Sequence, residues 1–229
     1  MEAKILEVFR SIQGEGKYVG LPQVFVRFFE CNMHCVWCDT PASIGDGKRE
    51  YKNINRENLL AQVDELYEGC HCVSITGGEP LVQVDFLKGF CHTLKRTKKK
   101  VYLDSNGTLP EALKAIIKNV DIIAMDIKLP SSTKQKAYWN EHKVFLKIAK
   151  RKDVFVKVVI SLDTQRDEII KAAKIVAEVD PKVQFILQPN FLDMKKNIIE
   201  KCVEHQKVCA KILKDVRILP QVHKFMKLR

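Results

Sequence analysis

The sequence predicts an α/β protein in which parallel strands alternate with helices, either as a partial (β/α)6 barrel or as an open doubly wound sheet. Three observations carry this. Six short runs rich in Val, Ile and Phe recur along the chain, nearly continuously apolar, as strands covered on both faces are. Amphipathic stretches of helical period separate them. Polar or glycine-rich segments then close the runs repeatedly at the same end, which is where either architecture binds its ligands.

In chain order the strand runs fall at 24–30, 72–76, 101–104, 121–127, 154–161 and 184–188. The helical stretches fall at 56–68, 84–95, 110–118, 139–150, 165–179 and 194–214. Pro110 suits the first turn of its helix, where a missing N–H costs nothing. Thr164, with Asp167 three residues later, reads as a capping box. Six strand-helix units imply right-handed crossovers and are too few for a closed eight-stranded barrel. The 229 residues, with no repeat or linker, are expected to form a single domain over 1–229.

Hydrophobic residues make up 46% and charged residues 29%, the balance of a globular protein. No apolar run is long enough to cross a membrane. The opening segment carries Glu2, Lys4, Glu7 and Arg10, so a cytoplasmic protein without a secretory leader is expected. A formal charge of +11 would suit phosphate attraction. However, the densest run, 95–100, ends a predicted helix, where the helix dipole favours cations, and no aromatic residues interleave with it. A nucleic-acid partner is therefore not expected.

Eight cysteines point to metal ligands, reactive thiols or buried packing rather than disulfides in a reducing compartment. Cys31, Cys35 and Cys38 crowd into one C-x3-C-x2-C segment directly after the first predicted strand. Thiolates suit zinc or iron–sulfur centres, and three of them on a four-iron cube leave one iron open. A structural zinc ion would need a fourth ligand, for which His34 is poorly placed. Gly77, Gly78, Glu79 and Pro80 close the second strand. Cys202 and Cys209, seven apart on a predicted helix, read as core, while Cys70 and Cys72 flank His71 as a weaker second metal candidate.

The cysteine spacing, with Trp37 before the last cysteine, and the Gly-Gly-Glu-Pro segment together resemble the radical S-adenosylmethionine (SAM) superfamily. Within it, several further segments resemble the 7-carboxy-7-deazaguanine synthase family. They are Gln13-Gly-Glu-Gly16, Cys38-Asp-Thr40, Asn106-Gly-Thr108 and the stretch from Arg217 to Lys224. The match spans Phe9 to Lys224. It implies a partial (β/α)6 barrel with helices outside and a [4Fe-4S] cluster on Cys31, Cys35 and Cys38. It also implies SAM and Mg2+ as cofactors. The implied reaction is a ring contraction of 6-carboxy-5,6,7,8-tetrahydropterin with loss of ammonia. Reduced cluster would cleave SAM, the resulting radical would take hydrogen from C6, and SAM would be regenerated.

Residue by residue, the resemblance implies Thr40 as the Mg2+ ligand. SAM contacts fall to Trp37, Cys38, Asp39, Gly78, Asp126, Ile127, Lys128 and Gln188. Substrate contacts fall to Ile12, Gln13, Gly14, Glu15, Arg27 and Thr76, with no catalytic side chain beyond cluster and SAM. Arg27 is also legible by itself: a charge inside an apolar strand must be paired, so it either clamps a carboxylate or bridges Glu15 or Glu30. An external electron donor of flavodoxin or ferredoxin type and a homodimer are further expectations. Departures from the family pattern are Glu30 where glycine is common, Asp104 where glutamate is common, and Asp126-Ile-Lys128 where Ser-Pro-Lys is common. Rival readings are a glycyl-radical-enzyme activase and, from another class, a zinc protein binding tRNA.

Overall fold

The computed structural model describes residues 1–45 and 50–228. The chain begins with β1 (Glu2–Ile12), which pairs antiparallel with β2 (Pro22–Phe28) and with β3 (Lys52–Asn55). From β2 onward the pairing is parallel, through β4 (Cys72–Gly77), β5 (Val101–Ser105), β6 (Ile122–Asp126), β7 (Asp153–Ile160), β8 (Phe185–Pro189) and β9 (Val216–Ile218). Among the described residues these form one sheet in the order β3-β1-β2-β4-β5-β6-β7-β8-β9.

Helices α1 (Arg56–Leu66), α2 (Val84–Arg96), α3 (Pro110–Ile116) and α4 (Pro130–Thr133) fall in the crossovers as far as β7. With α4 in the last of these stands α5 (Trp139–Ala149). The later crossovers carry α6 (Arg166–Val179) and α7 (Ile198–Cys209), and α8 (Val222–Phe225) follows β9.

Strand alternation sorts the side chains into two sets. One face, with Val73, Ile75, Leu103, Ile123, Met125, Val156, Val158 and Leu187, packs against Leu87, Phe90, Leu113, Phe145, Ile169 and Ala173 of the helices. The other face turns inward. At its lower level Cys72, Tyr102, Ile122, Ala124, Phe155 and Ile186 form a separate apolar cluster with Tyr18. Toward the C-terminal ends of the strands the inward positions become polar: Arg27, Thr76, Asp104, Asp126, Lys157 and Gln188. Because residues of β1, β2 and β4 through β8 all line one cavity, the sheet curves around it. With β3 and β9 as its two edges, this is the partial barrel.

The structure amends the sequence reading in three places. Strands β1, β3 and β9 extend the six expected strands, because their mixed charged and apolar residues hide a strand that is solvated on one side. The capping box at Thr164 does not form: its hydroxyl accepts from the Ser161 N–H at 2.9 Å, and α6 begins after Gln165 without a side-chain cap. The long helix expected over 194–214 is instead a 3-10 turn, Phe191–Asp193, followed by α7, with Asn197 at φ 57° interrupting the two. Pro110 does open α3, and Lys95 and Arg96 do end α2. Among the described residues no helix is long and apolar enough to cross a membrane.

Candidate active site

The cysteine loop leaves β2 through Glu30, whose φ of 80° lies in the region that favours glycine. The Glu30 carboxylate pairs with Lys4 at 2.5 Å. Met33, 1% exposed, anchors the loop in the interior. Asn32 accepts from Asn106 Nδ2 and donates to Thr108 Oγ1, each at 2.8 Å, tying the loop to the end of β5. Cys31, Cys35 and Cys38 are half-buried on the cavity wall. Burial pushes the Cys31 thiol up to about 11, which a cationic metal centre would offset.

The Gly-Gly-Glu-Pro segment is dictated by backbone proximity. A Cβ at Gly77, where φ is +141°, would stand 2.1 Å from the Phe28 carbonyl oxygen, and one at Gly78 would stand 2.2 Å from that of Glu30. These glycines thus let the end of β4 press against the root of the cysteine loop. Glu79, fully buried, accepts from the N–H groups of Leu81 and Asn106 at 3.1 and 2.7 Å and from Ser105 Oγ at 3.0 Å. Burial pushes its carboxyl up to about 7 despite these donors.

Below the loop opens a cavity of about 730 Å³. Its charges are arranged in pairs. Arg27 Nε donates to Glu7 Oε1 at 2.8 Å, and the guanidinium lies over the Phe9 ring. Lys128 Nζ stands 2.6 Å from Asp126 Oδ2 and 4.9 Å from the Trp37 ring centroid. Lys157 pairs with Glu15, and its Nζ lies 3.8 Å from Asp126. Lys224 Nζ lies 3.6 Å from Asp39. The segment after β9 folds over the mouth: Gln221 Nε2 donates to Glu15 at 2.7 Å and to Asp39 at 3.0 Å, and the Val222 N–H donates to the Gly14 carbonyl at 2.9 Å. Among the described residues, two cavity-lining acceptors, Asp126 Oδ1 and Gln188 Oε1, are buried without a protein donor.

The chain matches the Radical SAM superfamily over residues 26–186. It is 39% identical to the 7-carboxy-7-deazaguanine synthase of Geobacter sulfurreducens, over 98% of this chain and 97% of the relative. It is 34% identical to that of Archaeoglobus fulgidus, over the whole of both chains. This chain belongs to the 7-carboxy-7-deazaguanine synthase family of radical SAM enzymes. In fold it is similar to the crystal structure of QueE from Escherichia coli, with a TM-score of 0.69 at 22% identity, covering 97% of this chain and 95% of that one.

As a family member, the chain can be tested for fit to the groups the family implies. Among the described residues only Glu15, Asp39 and His223 bring three metal-ligating atoms within 4.8 Å of one another. The three cysteine sulfurs do not all lie within that distance of one another. Sulfurs on one tetrahedral zinc would lie about 3.8 Å apart, so the loop suits a larger iron–sulfur cube. The orphan acceptors on Asp126 and Gln188 fit the hydroxyl and amino donors of SAM. Glu15, Asp39 and His223 already have Gln221, Lys157 and Lys224 as neighbours, which supply hydrogen bonds and positive charge.

The cavity wall gathers Ile12, Gln13, Gly14, Glu15, Arg27, Trp37, Cys38, Asp39, Thr40, Thr76, Gly78, Asp126, Lys128 and Gln188. Ile127 is the exception: alternation turns its side chain into the helix-facing core, at 1% exposure, so it offers SAM no side-chain contact. Arg27 pairs with Glu7 across the hairpin, with neither Glu15 nor Glu30, because Glu7 is its register partner on β1. Gln13 partly serves the fold, donating to Gln23 and accepting from the Glu15 N–H, each at 3.1 Å. Cys202 and Cys209 are buried core residues, and Cys70 is half-exposed, where His71 stacks on Tyr18.

Sequence reasoning missed Lys157, Gln221 and His223. The signal for Lys157 was the one that singled out Arg27, a charge inside an apolar strand.

Proposed function

We infer that this chain contracts 6-carboxy-5,6,7,8-tetrahydropterin to 7-carboxy-7-deazaguanine, with release of ammonia. The observation that carries this reading is one cavity lined both by the three cluster cysteines and by Ile12 to Glu15, Arg27 and Thr76. When bound, the reduced cluster and SAM supply the one-electron cleavage that starts hydrogen abstraction.

The chain's own residues do the holding. Arg27, oriented by Glu7, presents its remaining N–H donors to the substrate carboxylate. Burial would push Glu15 up, but Lys157 and Gln221 outweigh it and hold the carboxyl down to about 2. It therefore stays an ionised acceptor for the guanidine-like edge of the pterin. Thr40 lines the same cavity and its hydroxyl, which donates to Asp39 at 3.1 Å, would be the ligand that holds Mg2+. Asp126, Gln188 and Trp37 receive SAM, with the indole N–H fixed on Ser132 Oγ at 2.9 Å. Electrons come from an external flavodoxin- or ferredoxin-type donor, and the working form is a homodimer. Cations such as Lys95 and Lys99 are paired with Asp121 and Asp64, which supports a small-molecule rather than a nucleic-acid partner.

The test is anaerobic incubation of reconstituted protein with the carboxytetrahydropterin, SAM, Mg2+ and a reductant, read by mass spectrometry. Formation of the deazapurine is expected. Cleavage of SAM without that product, in the presence of a glycyl-radical partner, would favour the activase reading instead.

A further inference from the structure

Lys157 is a lysine on the inner face of a barrel whose ammonium is almost wholly out of water, its side chain 8% exposed. It stands on β7 in register with Asp126 of β6 and lines the cavity. Such a group is costly to bury unless its partners are in place. Here they come from two parts of the chain. Glu15 descends from the loop that ends β1, and its Oε2 accepts from Lys157 while its Oε1 accepts from Gln221. Asp126 Oδ2 lies 3.8 Å away and is held mainly by Lys128. Negative charge from Glu15, Asp104 and Asp126 raises Lys157 well above its ordinary range in spite of burial, so the ammonium is permanent.

Glu15 belongs to the loop between β1 and the 3-10 turn Gly16–Tyr18, so no strand or helix fixes its side chain. Its orientation comes from these two side-chain donors. Gln221 is on a segment that closes from outside, whereas Lys157 is part of the rigid sheet. We propose that Lys157 is a positioning residue for pterin recognition, holding the Glu15 carboxylate ionised and aimed at the N–H donors of the substrate's aminopyrimidinone edge. This rests on the reading of Glu15 as a substrate contact given above. The ammonium sets both the direction and the polarity of that contact. An ionised acceptor selects a ring edge that offers two donors and rejects one that offers an acceptor.

The test compares Lys157→Met, Lys157→Arg, Glu15→Gln and the double variant Glu15→Gln/Lys157→Met. Each is measured for pterin affinity by anaerobic calorimetry and for KM and kcat after cluster reconstitution, with thermal unfolding as a control. Lys157→Met is expected to weaken pterin binding and raise KM about 30-fold, as for loss of a hydrogen bond made by a charged group, while kcat changes far less. Arginine should restore most of the affinity. The double variant removes both buried charges together and should fold; its binding loss should be no greater than that of Glu15→Gln alone. Losses that add in the double variant, or a fall in kcat with KM unchanged, overturn the proposal. If Glu15→Gln weakens binding and Lys157→Met does not, the Lys157 role fails alone. If Glu15→Gln leaves pterin affinity intact, the reading of Glu15 itself is lost.

Discussion

Gln221 donates one side-chain amide to two carboxylates, Glu15 at 2.7 Å and Asp39 at 3.0 Å, and so joins the loop after β1 to the cysteine loop from a position near the end of the chain. The segment that carries it is short, and a backbone bond from Val222 to Gly14 pins it. Replacing Gln221 with Ala should therefore raise KM for the pterin about 10-fold, the size of a lost hydrogen bond to a charged group. The unfolding midpoint should move little. Steady-state kinetics and a thermal melt decide this, and an unchanged KM would show that the bridge is structural.

The cysteines divide by position. Alanine at Cys31, Cys35 or Cys38, which are half-buried on the cavity wall, should abolish iron and sulfide incorporation and leave the far-ultraviolet spectrum intact. Alanine at Cys202, which has no exposed surface, should retain iron and instead lower stability by roughly 1 kcal/mol through lost packing. Iron content and urea unfolding separate the two classes.

Gly77 and Gly14 should respond differently to alanine. At Gly77 the new Cβ meets the backbone of Phe28 at 2.1 Å and φ is +141°, so the substitution should cost about 3 kcal/mol or more. At Gly14 it meets His223, at 2.2 Å from Nδ1 and 2.5 Å from Cβ, so the short segment after β9 must itself shift, while φ at Gly14 lies outside the left-handed region. Gly14→Ala should keep most of the stability but loosen the C-terminal segment and weaken pterin binding. Denaturant titration and calorimetry on both variants check the contrast.

Two buried groups should give stability opposite slopes with pH. Burial pushes Glu79 up to about 7 from an ordinary 4.5, so the unfolded chain loses that proton first as pH rises. About 3 kcal/mol of stability is then lost between pH 4.5 and 7 and remains lost above it. Burial pushes His142 down to about 4 from 6.5, so the unfolded chain gains a proton first as pH falls. A similar amount, about 3 kcal/mol, is then lost on acidification from 6.5 to 4. Urea titrations across pH 4 to 8 should show a shallower acid loss in His142→Gln and a steeper one in Glu79→Gln. At pH 8, Glu79→Gln should still cost about 1–3 kcal/mol, because both carboxylate oxygens accept backbone N–H groups and an amide nitrogen cannot.

The sequence by itself determined the alternation of strands and helices, the cluster loop and the end of the sheet where the chemistry falls. These are local properties: periodicity, cysteine spacing and glycines at strand ends survive in one dimension. It also carried the family resemblance, which placed all but Ile127 of the proposed contacts on one wall. Ile127 turns its side chain away from that wall: a motif gives neighbours equal standing, whereas alternation along β6 sends Asp126 inward and Ile127 into the core. What only the tertiary structure decided is which polar and charged side chains meet. Glu7 with Arg27, Lys157 with Glu15, and Gln221 with Asp39 are separated by 20, 142 and 182 residues. No local pattern records which carboxylate a buried cation will meet, because that depends on how the sheet curves and where the last segment closes.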